Sequence, residues 1–211
     1  MIAPPERSAE RDAALDALLP RVPRQGWTMA ALRDALADSG GDRLDAALLF
    51  PGGAADMIEA FIDLADRRMV GGAGDVSVLR TPGRVRALLA ARFSQAREHR
   101  EAIRRAAGIL ALPRNAALAA RCTARTVDGI WHAAGDRSAD FNWYSKRATL
   151  AAVYSATLLF WLRDAGEDDA ATLAFLDRRL AGSARVGRLR KRIQSGCARL
   201  LPSRLRPQAA A

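Results

Sequence analysis

The chain is 211 residues long, half of them hydrophobic, with 33 basic and 23 acidic side chains and a net charge of +10. That length suits one core-bearing domain with an appendage. Alanine and leucine outnumber the β-branched residues that strands favour, so an all-α fold is expected. Cys122 and Cys197 stand far apart with no close-spaced partner. This excludes a disulfide framework or a CxxC zinc or redox motif, and points to a reducing, intracellular setting. The N-terminal stretch has no apolar run of a secretory signal.

In chain order, the spacing predicts a first helix over 6–19, where Leu15, Leu18, Leu19 and then Val22 continue one face until Pro20 and Pro23 close it. Thr28 can cap a helix to about residue 37, which Gly40–Gly41 ends. A short helix over 44–50 stops at Pro51. A longer one over 54–70 buries Met57, Ile58, Phe61 and Ile62 before the glycine cluster at 71–74 breaks it. Further helices are expected at 81–99, 101–110 and 115–133, then a polar turn over 135–140 in which Ser138 or Asp140 offers an N-cap. A long helix over 141–163 carries Leu150, Val153, Tyr154, Thr157, Leu158 and Trp161 on one stripe. Another over 168–180 turns Leu173, Leu176 and Leu180 inward. The longest apolar run, 148–162, is shorter than the ~20 residues a membrane-spanning helix needs, so the chain reads as soluble or peripheral.

The order at the front (short helix, Thr-capped helix, tight turn, short helix, longer helix after Phe50-Pro51) resembles the helix-turn-helix of TetR-type regulators. A DNA reader needs cations to neutralise phosphates. Between residues 27 and 66 only Arg33 and Arg43 stand against Asp34, Asp38, Asp42, Asp45, Asp56, Glu59, Asp63 and Asp66, a local net charge of −6. Such a surface repels DNA, so no nucleic-acid partner is expected and these helices read as scaffold. A ligand-responsive transcription regulator is the alternative.

The positive charge lies at the other end. From Arg178 onward there are ten basic residues and no acidic one. At helical pitch Val186, Leu189, Ile193, Cys197, Leu200 and Leu201 share one stripe, flanked by Lys191 and Arg192 among other cations. A basic amphipathic helix over 183–206 suits the headgroup region of an anionic membrane, with Gly182–Ser183 as hinge and cap and Val186, Leu189, Lys191, Arg192, Ile193 and Leu200 as the contact residues. An ordinary packed last helix or a solvated tail remains the alternative. Enzymatic signatures are missing: the two histidines, His99 and His132, have no ligand-spaced partner, and there is no HExxH, Walker-type or GxSxG motif. No catalytic residue, metal or cofactor is assigned.

One segment is distinctive. Trp131, the Ala134-Gly135-Asp136 turn, the run Asp140, Asn142, Trp143, Tyr144 and Arg147 opening an Ala/Leu-rich helix, and the Phe-Leu-Asp-Arg-Arg stretch from Phe175 to Arg179 resemble the ubiquinone-biosynthesis accessory family called coenzyme Q biosynthesis protein nine. The resemblance is strongest in the C-terminal third. It implies a TetR-like helical bundle with a degenerate helix-turn-helix, lipid binding in an apolar pocket, a membrane-associating C-terminal helix and no catalysis. It also implies support of the demethoxyubiquinone hydroxylase, or an equivalent enzyme, by presenting an isoprenoid quinone intermediate. On that reading Asp136, Asp140, Asn142, Trp143, Tyr144, Lys146 and Arg147 form the partner surface, although Asp140 can equally be a cap and Trp143 a core plug. Leu89, Phe93, Ile130, Trp131, Leu150, Val153, Tyr154, Leu158 and Trp161 are the candidate lipid-binding residues, each of which could be simple core. The expected organisation is helix-turn-helix-like helices over 1–70, a lipid-binding bundle over 75–181 and the tail over 183–206. By TetR analogy a homodimer is expected, placed on the cytoplasmic face of a bacterial membrane.

Overall fold

The computed structural model describes residues 3–136, 141–164, 166 and 168–200, with the backbone alone at 141–142 and 186–200. Among those residues there is helix and turn and no strand, the all-α class that composition implied. The front comprises α1 (Ala9–Leu18), α2 (Val22–Gln25), α3 (Met29–Asp38) and α4 (Asp45–Leu49). Then come α5 (Gly53–Gly72), α6 (Thr81–Ala96), α7 (Arg100–Leu110), α8 (Ala116–Ala133), α9 (Phe141–Arg163) and α10 (Ala170–Leu200). Local chemistry explains several of the boundaries. The Ser8 hydroxyl accepts from the Arg11 amide and the Thr28 hydroxyl from the Ala31 amide, each at 3.1 Å, satisfying donors that the first turn leaves over. Helix α5 continues through Gly71 and Gly72 and ends at Ala73, so the break comes at Gly74 with its positive φ of 67°, later than the glycine cluster suggests.

Two cores share α5 as their spine. The front core gathers Leu15, Leu18, Leu32, Phe50, Met57, Ile58 and Phe61, with Ala102 and Ala106 of α7 packed behind them. Trp27 joins the halves: its ring packs 5.4 Å from Phe61, and its indole N–H donates to the Ala102 carbonyl at 2.9 Å. The rear core gathers Met69, Val85, Leu88, Leu89, Phe93, Val127, Ile130, Leu150, Trp161 and Leu176 from α5, α6, α8, α9 and α10.

The acids of the front do not form the bare negative face that their count implies. Six of the eight between residues 27 and 66 are held by arginines, most of which lie outside that span. Asp56 meets Arg11 at 2.6 Å, Asp63 meets Arg7 at 2.6 Å, Glu59 meets Arg125 at 2.7 Å and Asp66 meets Arg92 at 3.2 Å. Asp34 meets Arg43 at 3.1 Å and Asp38 meets Arg21. The charge is internal mortar between helices. Around α4 the surface carries Leu44 and Leu48, 76 % and 79 % exposed, beside Asp42 and Asp45, while Arg43 is engaged with Asp34.

At the other end α10 runs unbroken from Ala170 to Leu200. Gly182 and Ser183 lie inside it, and the Ser183 hydroxyl donates back to the Leu180 carbonyl at 2.8 Å, so no hinge separates body from tail there. The root of α10 is fixed by Phe160 stacked on Phe175 at 4.5 Å and by Arg86 paired with Asp177 at 2.6 Å. The membrane-contact residues Val186, Leu189, Lys191, Arg192, Ile193 and Leu200 fall outside the residues whose side chains are described, as does Cys197. Ser138 and Asp140, the proposed caps, lie outside the described residues altogether. Among the described residues no helix is long and apolar enough to cross a membrane.

Candidate functional site

Where α5, α7, α8 and α9 face one another they leave two adjoining recesses, of about 230 Å³ and about 60 Å³. Ile62, Ala107, Leu110, Tyr154 and Leu158 line both. The smaller runs inward to Phe93, Arg92 and Trp161, the larger toward Cys122, Thr126 and Ala119. From α7 the small side chains Ala106 and Ala107 line the space beside Ile103 and Leu110. Four of the nine apolar candidates (Phe93, Tyr154, Leu158 and Trp161) are brought together in this wall. Leu89, Ile130, Leu150 and Val153 are buried in the rear core and line neither recess. Trp131 is half-buried and sits elsewhere, with the Lys146 ammonium 5.6 Å over its ring.

The lining is largely apolar, its polar side chains being Arg92, Tyr154, Thr123 and Thr126 together with the Cys122 thiol. Behind the lining Arg92 Nε forms an ion pair with Asp66 Oδ1 at 3.2 Å, the arginine buried and the aspartate nearly so. Thr126 donates its hydroxyl to the other carboxylate oxygen at 2.7 Å. The Tyr154 phenol adjoins the same guanidinium. Burial pushes the Asp66 carboxyl above its usual range against the pull of Arg92, and burial raises the Tyr154 hydroxyl as well. Cys122 is pushed up to about 11, chiefly by burial, so at neutral pH it is a thiol and a poor nucleophile. The spacing of Val85, Leu88, Leu89, Phe93 and Ala96 carries Arg92 on the same buried stripe, a signal that could have singled it out.

The segment from Trp131 to Arg147 forms a second constellation. Gly135 closes α8 with φ 79°, and a Cβ there would stand 3.0 Å from the Arg84 guanidinium, which itself donates to the Ala134 carbonyl at 3.3 Å. That turn delivers Asp136 to Lys146 at 2.9 Å and to Arg147 at 3.7 Å, while Arg147 also meets Asp128 at 2.7 Å. Arg147 lies 3.9 Å over the Trp143 ring, whose edge contact with Tyr144 measures 4.7 Å. Asp136, Lys146 and Arg147 therefore brace α9 against α8 rather than standing free as a basic pair. Outward presentation falls to Tyr144, 69 % exposed, and in part to the half-buried Trp143. Asp140 and the Asn142 side chain lie outside the described residues.

A family model described as COQ9 matches residues 116–187, which cover α8, α9 and the first half of α10. The chain is 32 % identical over 190 residues to the ubiquinone biosynthesis protein COQ9, mitochondrial, of Rattus norvegicus, an alignment covering 86 % of this chain and 61 % of that protein. The Homo sapiens protein of the same name aligns equally well, also at 32 % identity. The Schizosaccharomyces pombe protein is 31 % identical over 185 residues, covering 87 % of this chain and 73 % of that protein. The chain belongs to the COQ9 family.

It spans about three-fifths of the length of the mammalian COQ9 relatives it matches. Among solved structures, a TetR transcriptional regulator from Nitrosomonas europaea superposes with a TM-score of 0.68 at 24 % identity, covering 84 % of this chain and 99 % of that one. That likeness is one of fold. The family-matched stretch contains the Cys122, Thr126, Tyr154 and Leu158 side of the recess and the whole Trp131–Arg147 brace. Among the described residues no three His, Cys, Asp or Glu side chains gather as a metal site would require.

Proposed function

We propose that this COQ9-family chain is a lipid-binding accessory protein of ubiquinone biosynthesis. It takes up an isoprenoid quinone intermediate and presents it, without converting it, to a membrane-associated hydroxylase of the demethoxyubiquinone type or its equivalent. The observation that carries this reading is the recess between α7, α8 and α9, apolar on nearly every side and lined by Phe93, Tyr154, Leu158 and Trp161. The family membership supplies the pathway. Tyr144 and Trp143 supply an outward aromatic pair for the partner enzyme, since aromatic anchors dominate protein interfaces. The basic amphipathic end of α10 supports docking on an anionic bilayer at the cytoplasmic face, and a homodimer remains the expected assembly.

The test is mass spectrometry of organic extracts from gently purified protein. Co-purified polyprenyl quinones or their precursors are expected; an extract with no lipid above a control protein overturns the carrier reading. Flotation with anionic liposomes checks the membrane part. Deleting 186–211 is expected to abolish it, and unchanged flotation removes the tail from the mechanism.

A further inference from the structure

Two patches of exposed apolar side chains stand apart on the surface. One is on α4, with Leu44 and Leu48. The other is the loop between α5 and α6, where Val78 and Leu79 are 81 % and 41 % exposed and the exposed Arg80 follows them. Single exposed apolar residues are ordinary, so position has to decide what either patch is for. The direction of α10 supplies it. Arg97, at the C-terminal end of α6, meets Asp169 just before α10 at 2.6 Å, and Arg86, near the start of α6, meets Asp177 at 2.6 Å. The two helices are therefore antiparallel. Helix α10 leaves the body past the N-terminal end of α6 and runs on for about 35 Å from Asp177 to Leu200 at its rise per residue. The loop sits at that same end, because the Arg84 guanidinium donates to the Ser77 carbonyl at 2.7 Å and the Leu79 carbonyl at 2.8 Å. Its third bond, to the Ala134 carbonyl, brings in the end of α8, and the Lys146–Asp136 pair brings in the start of α9 with Tyr144. The front lies the other way. Helix α7, which follows the C-terminal end of α6, carries Ala102 and Ala106 into the front core, so α10 leads away from α4.

We propose that the α5–α6 loop is a second contact with an anionic bilayer, Val78 and Leu79 entering the headgroup region and Arg80 meeting lipid phosphates. This rests on the reading that the basic end of α10 docks on such a membrane, and it adds an orientation. The N-terminal end of α6 faces the lipid, α4 points away from it, and Tyr144 stands near the level of the bilayer, where a membrane-associated partner is met. Charge agrees. Between residues 70 and 84 there are two arginines and one aspartate, and that aspartate, Asp75, is turned onto the Ser77 amide at 2.9 Å. The leucines of α4 have Asp42 and Asp45 beside them, which an anionic surface repels. Shape agrees as well. Because Arg84 ties the loop backbone at two carbonyls, the tip is presented already ordered, and ordering it costs little on docking.

The full-length chain carries the test. Cys122 is buried and its thiol is pushed up to about 11, so in a Cys197→Ser background an environment-sensitive dye can be attached at Val78→Cys alone. A second sample carries it at Leu48→Cys, a position just as exposed. With mixed phosphatidylcholine–phosphatidylglycerol vesicles the dye at 78 is expected to shift to the blue and to be quenched by lipids spin-labelled high on the acyl chain. The dye at 48 is expected to do neither. Unlabelled Val78→Asp is expected to bind the vesicles about fivefold more weakly, the worth of partly burying one apolar side chain, while Leu48→Asp binds as the parent does. If the parent chain does not float with these vesicles, the docking of the tail and the loop contact fall together. Flotation with a dye at 78 that stays in water overturns the loop contact and leaves the tail docking standing. A dye at 48 that shifts as far, or a Val78→Asp chain that binds like the parent, does the same.

Discussion

The front and rear halves of this molecule bury an arginine–aspartate pair in different settings. In the front, Arg11 is as buried as a core leucine, yet its terminal nitrogens reach the Leu49 carbonyl and Asp56, and its guanidinium lies 4.4 Å over the Phe50 ring. Arg7 and Arg67 close bidentate pairs on Asp63 and Asp12. In the rear, Arg92 pairs with Asp66 at 3.2 Å and lines the inner recess beside Tyr154. Both pairs tie helices together, and what differs is that the rear pair stands beside a recess. Most acids of the helix-turn-helix-like front are engaged by arginines, and the recesses lie behind it, among α5, α6, α7, α8 and α9.

The largest effect is expected where the front is tightest. Arg11→Met leaves Asp56 and the Leu49 carbonyl without their donor, a loss of about 3–5 kcal/mol in unfolding free energy. Urea denaturation measures it, and a loss below ~1 kcal/mol denies that the front is held by its ion pairs. Next comes acid. Burial alone would raise Glu59, but hydrogen bonds from Arg121 and Arg125 outweigh it, and Arg67 lowers Asp12. A carboxylate depressed in the folded state contributes stability that is present above its unfolded pKa and lost as pH falls through the folded one. Stability should therefore decline as pH drops from about 4.5 downward. Glu59→Gln should cost about 1–2 kcal/mol at neutral pH and shrink that acid slope; an unchanged slope in thermal melts between pH 3 and 6 places the acid sensitivity elsewhere.

Much of this frame was legible in the residues. Helical spacing placed α3 by its Thr28 cap and α9 to both its ends, because a capping hydroxyl and a 3.6-residue stripe are local signals. The helix end expected at 180 and the hinge at Gly182–Ser183 are not found because their helix penalty, together about 1.5 kcal/mol, is absorbed by continuation of α10. The acidic front was counted correctly, but the count did not show that its acids are paired: Arg7 comes from the segment before α1 and Arg11, Arg92, Arg121 and Arg125 from other helices, and a local charge sum is blind to them. In the candidate site the same limit applies. The stripe of α9 showed which residues turn inward, but which of them meet space depends on what the facing helices present, so Leu150 and Val153 became core while Tyr154 and Leu158 face the recess.

Filling that space separates cargo from stability. Ala107 lines both recesses, and Ala107→Leu places three added carbons where nothing now stands. Unfolding free energy should change by no more than about 1 kcal/mol, in either direction, because a filled void offsets whatever crowding it brings. Lipid recovered in organic extracts should fall at least about tenfold, by the affinity lost when the ligand and the new side chain compete for one volume. A variant that keeps its full lipid load places the cargo outside this recess.

The smallest effect on stability is expected at Tyr144. Its side chain is 69 % exposed and touches Trp143 by an edge, while the bracing of α9 against α8 is carried by Asp136, Lys146, Arg147 and Asp128. Tyr144→Ser should shift stability by less than about 0.5 kcal/mol and leave the lipid load unchanged, as an exposed position outside the brace should. What it should reduce is co-purification of the hydroxylase, by about tenfold if the tyrosine is an interface anchor. Intact capture would move the partner surface off the N-terminal turns of α9. Loss of capture together with lost stability would show that Tyr144 belongs to the brace, and that the division between holding and presenting does not extend this far along the helix.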